Sequence, residues 1–119
     1  MFSEQQLIRL VDLSNLALNF GMVMQARKIC EGIEAIKPNF EPALISLAFS
    51  YIVVDDFSVA QEILDKILQS DPDNEDALGM LAVSHILSGN IILAEEEISR
   101  LSEDSPAGTM ARSFMRASK

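Results

Sequence analysis

The sequence predicts an all-α chain of three tandem helix-turn-helix hairpins, stacked as a short solenoid and finished by a closing helix. Three observations carry that reading. Prolines recur at Pro38, Pro72 and Pro106, each 34 positions after the last. Alanines keep the same step at Ala26, Ala60 and Ala94, and leucines keep it twice, at Leu13, Leu47 and Leu81 and at Leu10, Leu44 and Leu78. Within each period the apolar residues are spaced by three, four and seven, which is one face of a helix and not of a strand. Self-similarity at this length marks stacked supersecondary units, none of which can bury its apolar face alone.

The units span residues 7–40, 41–74 and 75–108. Positions 4, 7, 11, 20, 24 and 27 of each are expected to pack helix on helix. They are Leu10, Leu13, Ala17, Ala26, Cys30 and Ile33 in the first unit, and Leu44, Leu47, Tyr51, Ala60, Leu64 and Ile67 in the second. The third has Leu78, Leu81, His85, Ala94, Ile98 and Leu101. The alanine marks the closest approach of the two helices. The first helix should start near Glu4, since Ser3 and Gln6 have capping-box spacing. Gly21 and Gly89 share the slot where a helix ends in a left-handed residue before the chain reverses, and the second unit has Asp55 and Asp56 there. The prolines bar helix continuation, with Asn39 and Asp73 as N-caps for the helices that follow. Residues 109–119 are expected to form the closing helix, with Met110, Phe114 and Met115 covering the end of the third unit.

This pattern resembles the tetratricopeptide repeat (TPR) over residues 7–108. Leucine stands where that family often has tryptophan at position 4, and Ser14, Ala48 and Ala82 stand where it often has glycine at position 8. The resemblance implies a single TPR domain over residues 1–119 and a right-handed superhelix whose concave face is lined by the first helix of each unit.

Composition narrows the function. No apolar run approaches the roughly 20 residues of a membrane span, and the start, MFSEQQ, lacks the basic region of a signal peptide, so a cytoplasmic protein is expected. Cys30 is the only cysteine; it permits no intrachain disulfide and reads as a core thiol. The net charge is −9, and between Asp55 and Asp104 thirteen acids face only Lys66 and Arg100, which argues against a nucleic-acid partner. Arg112, Arg116 and Lys119 make the last residues basic. Glu95, Glu96 and Glu97 read as a solvated face near the start of a helix, with a docking patch for a basic partner as the alternative. The sole histidine, His85, occupies a packing position, and one cysteine with one distant histidine cannot close a metal site. No phosphate loop or nucleophile elbow occurs. Neither an enzyme nor a cofactor is expected.

A binding surface is expected instead. Beyond the packing set, the first helices carry Val11, Leu18, Ile45, Phe49, Ile52, Val53, Met80, Val83, Ile86 and Leu87, which the TPR resemblance places on the concave face. Left open, such a row is an apolar patch that monomeric proteins rarely expose, and a protein-binding groove follows, centred on Phe49. The alternative is a tighter superhelix that buries much of the row. A carboxylate clamp of the kind that captures acidic C-termini is excluded, because its positions hold Val11, Asn15, Ser46, Asp76 and Met80, of which only Asn15 matches, and Asp76 would repel the ligand. An apolar trough with methionine suits the apolar face of an amphipathic helix.

In length and layout the chain resembles the small TPR chaperones of type III secretion needle subunits. The resemblance implies a protein client whose C-terminal helix is clasped, a second small helical co-chaperone, and a block on polymerisation in the cytosol. A TPR scaffold or adaptor in a stable complex is the alternative, and self-association of the apolar grooves without a client is a third.

Overall fold

The computed structural model describes residues 1–118. The described residues form seven helices and no strand: α1 Glu4–Asn19, α2 Val23–Ile36, α3 Glu41–Ile52, α4 Phe57–Ser70, α5 Glu75–Leu87, α6 Ile91–Ser99 and α7 Pro106–Ala117. The expected all-α fold of helical hairpins is therefore found. The chain divides into two compact units, Met1–Asp56 and Phe57 onward. The division falls inside the second 34-residue repeat, so α3 belongs to the first unit and α4 to the second.

In the first unit, α1 opens with the expected capping box: the Ser3 hydroxyl accepts the Gln6 amide at 3.1 Å, and Gln6 Oε1 accepts the Ser3 amide at 2.8 Å. It closes at Gly21, whose φ of 75° lets the Met22 amide return to the Ala17 carbonyl. Helix α2 folds back on α1, and α3 packs on both. Leu7 and Val11 meet Ile33, Phe40 and Ala43 in one cluster, while Ala17, Leu18 and Ala26 meet Val23 and Phe49 in another. The buried residues of α1 are thus Leu7, Val11, Ser14, Ala17 and Leu18; of the expected packing residues Ala17 is buried and Leu10 packs half-buried on the first cluster, but Leu13 does not pack. Leu13 is 51% exposed because α2 and α3 both lie on the other side of α1.

Two expected N-caps move by one residue. Asn39 is left-handed, with φ 62°, and its amide donates to Glu34 Oε2 at 3.1 Å. The N-cap of α3 is therefore Phe40, with no side-chain cap. Before α5 the cap is Asn74, not Asp73, and its side chain accepts the Ala77 amide.

In the second unit α5 is central, touched by α4, α6 and α7. Nine of its 13 residues are buried, which explains why the helix is apolar on every side. Gly79 marks its tightest approach to α7, since a Cβ there would lie 2.9 Å from the Ala107 Cβ. At the end of that hairpin Gly89 is left-handed, as expected, and Asp55 takes the same conformation without glycine at φ 62°. Glu75, in the first turn of α5, accepts the Ser102 amide at 2.6 Å and the Ser102 hydroxyl at 2.9 Å. Those bonds, with the Arg112 charge, hold its carboxyl below the usual range.

The closing helix begins at Pro106 and not at residue 109. Pro106 opens α7 as its first residue, where proline's missing amide is no loss, and Ser105 caps it. Ala107, Ala111 and Met115 are buried against α5 and α6, Met110 is half-buried, and Phe114 stays 40% exposed. Lys119 lies outside the described residues. In the 34-residue register, α7 is the first helix of a fourth unit, with Met115 where Leu81 stands. Two further positions of that register hold Arg112 and Arg116 in place of Leu78 and Ala82.

Ala26, Ala60 and Ala94 are all fully buried, as expected of the close approach. Ala26→Leu should therefore lower stability by about 1–3 kcal/mol, through overpacking against Ala17, Leu18 and Phe49. A thermal melt checks this, and an unchanged midpoint would remove Ala26 from that contact.

Candidate protein-binding surface

The apolar row divides between the two units. In the first, Val11, Leu18 and Ile52 are buried, Ile45 and Phe49 are half-buried, and Val53 is 41% exposed. In the second, Val83 and Ile86 are buried, Met80 is half-buried and Leu87 is 47% exposed. The expectation of a fully open row thus fails at five of its ten positions. The reason is local packing: Val11 and Leu18 belong to the two clusters of α1, Val83 packs with Leu101 and Ala111, and Ile86 packs with Ala94 and Met115. Phe49 also rests on Ala17, Leu18 and Ala26, so it is partly a core residue. Phe49→Glu is expected to lower the melt as well as any binding, in contrast to the clean binding effect its register position suggests.

Of the row, Ile45, Phe49 and, at the C-cap, Val53 remain accessible on α3. The buried residues of the helix are Ala43, Ser46, Ala48, Ser50 and Ile52. Serines there serve tight polar contacts. Ser46 donates to Asn15 Oδ1 at 2.7 Å and lies 2.8 Å from the Ser14 hydroxyl, which itself sits 3.4 Å from Cys30 Sγ. Arg27 donates to the Ser50 hydroxyl at 3.0 Å and lies over the Tyr51 ring at 3.9 Å. Cys30 is buried, as expected, inside this polar seam.

A second exposed apolar face lies on α1, where Leu13, Leu16 and Phe20 follow one stripe and Phe20 is 74% exposed. The 34-residue register gives this face a meaning. The equivalents of Leu16 are Ser50 and Ser84, both fully buried, and Ser50 is covered by Arg27 of the preceding helix, α2. The part of the stripe at Leu13 and Leu16 is therefore the surface that is covered in the later units, whereas the equivalents of Phe20, Val54 and Ser88, stay exposed.

In the second unit His85 and Glu97 form a buried pair, Nδ1 to Oε1 at 2.7 Å. His85 occupies the interior, as expected. Glu97 does not share the solvated face of Glu95 and Glu96. Its equivalents in the earlier units are Ile29 and Ile63, so an acid in an isoleucine slot was the signal that register alone could have given. Burial pushes the Glu97 carboxyl up, and the hydrogen bond and charge of His85 oppose that.

The described residues include no group of three His, Cys, Asp or Glu side chains that could hold a metal, and no helix long and apolar enough to cross a membrane.

Repeated helical hairpins with accessible apolar residues on a first helix define a protein-interaction repeat. The family model for the tetratricopeptide repeat matches residues 54–117, more than half of the chain, and the chain belongs to that family. The residues before that match share its 34-residue register through Leu10, Leu13, Ala26 and Pro38. No curated protein matches the sequence.

Proposed function

We propose that this TPR protein is a chaperone that holds the apolar face of a client's amphipathic helix, acts by binding and not by catalysis, and serves a type III secretion needle subunit in the cytoplasm. The observation that carries the reading is α3, which is mostly apolar yet keeps Ile45, Phe49 and Val53 accessible. A helix of that composition is ordinarily enclosed. Occupying it with a filament-forming helix would hide the surface that drives polymerisation. The stripe Leu13, Leu16 and Phe20 on α1 is a second exposed apolar surface, and a second small helical partner would pack there. The burial of half the row favours a second reading, a scaffold that joins two proteins without an export substrate.

The test is co-expression with any small helical proteins that neighbouring reading frames encode, followed by co-purification and a melt of each variant alone. Val53 is exposed, so Val53→Glu should leave the melt within about 0.5 kcal/mol of the parent, while weakening the complex at least tenfold. Full retention of the client by Val53→Glu would sink the α3 surface. A stable complex with a folded, non-polymerising partner alone would favour the scaffold.

A further inference from the structure

A pocket of about 190 Å³ opens between α2 and α3, with Cys30, Ala43, Leu44 and Leu47 as its walls and Glu31 and Glu34 at its mouth. This is too small for a drug-sized ligand, whose pockets start at about 300 Å³, and it suits one side chain. The repeat register shows what such a slot holds. Glu34 is equivalent to Leu68, and Leu68 packs on the cluster of Leu78, Ala82 and Leu101 in the second unit. Where the later repeat supplies its own leucine, the earlier one has a glutamate that turns to the rim, is exposed and accepts the Asn39 amide. The vacancy also lies beside Leu44, one of the leucines at position 4.

We propose that this pocket is a docking site for a cationic segment of a partner protein, which inserts one leucine-like side chain and sets lysine or arginine against Glu31 and Glu34. Leu68 shows the chemistry of the insert, since it fills the same slot from within the chain. The charge of the flanks follows from the rim, where both polar residues are acidic and apolar walls lie beneath them. The site is on α2 and α3 at residues distinct from Ile45, Phe49 and Val53, so it stands apart from the client surface.

The probe is a pair of fluorescein-labelled synthetic peptides with the same leucines, one flanked by lysines and the other by glutamates, titrated by anisotropy into the full chain at physiological salt. The lysine peptide should bind and the glutamate peptide should not. Glu34→Leu, which copies Leu68, should weaken lysine-peptide binding at least tenfold while raising the melting temperature; Leu44→Trp should block the same pocket by a different route. The control Glu96→Leu removes the same charge on exposed α6 and should change affinity less than twofold. The proposal is overturned by an absence of lysine-peptide binding, by equal binding of the two peptides, by retained binding in both filled variants, or by equal loss in the control, which would mean attraction to net charge alone.

Discussion

His85→Leu should be among the most damaging single substitutions in this chain, with a loss of about 3 kcal/mol at neutral pH. Its Nδ1 shares a hydrogen bond with the Glu97 carboxyl, and both side chains are nearly sealed from water. Removing one member of a buried pair leaves the other desolvated and unpaired, which typically costs about 3–5 kcal/mol. The double variant His85→Leu/Glu97→Ile, which restores the isoleucine of Ile29 and Ile63, should recover most of the loss. The pH dependence has a definite sign. Glu97 titrates above its ordinary value in the folded chain, so its burial penalises the fold above the folded pKa, and that penalty vanishes as pH falls below 4.5, the unfolded value. The gap between His85→Leu and the parent should therefore narrow as pH falls from neutral towards 4.5. Chemical denaturation across that range measures it, and a gap that widens on acidification would show that Glu97 is not the group left stranded.

Truncation after Ser105 should abolish cooperative folding of the second unit. Helix α7 supplies Ala107 and Ala111 against Leu78, Ala82 and Val83, and Met115 against Ile86 and Ala94. Uncovering three large side chains of this kind loses about 1.5–3 kcal/mol each at full exposure, and a domain has only about 5–15 kcal/mol in all. The expected result is aggregation, or a melt without a sharp transition. Met115→Ser offers a milder version, a loss of about 2 kcal/mol with solubility retained. A truncated chain that melts as sharply as the parent would show that α7 adds nothing to the array.

The repeat, its phase and its helical character were all legible in the sequence, because periodicity is a property of spacing and spacing survives without coordinates. Ser3 with Gln6, Gly21, Gly89 and the three buried alanines were readable for the same reason: each answers a local demand of the backbone or of one helix pair. What tertiary structure decided is which side of each helix is covered. Leu13 and Leu47 occupy one register position, yet Leu13 is 51% exposed and Leu47 half-buried, since α1 has no described helix on that side. Val11 and Val83 look like surface residues in the repeat and are core residues in the fold. Pro106 looks like a stop and acts as a start, because proline bars a helix interior but not its first turn. Glu97 required both kinds of knowledge: the register exposes the anomaly, and only the packing of α6 on α5 brings His85 to within 2.7 Å of it. Local sequence fixes what each helix is, and burial belongs to pairs of helices distant in the chain, which no single window contains.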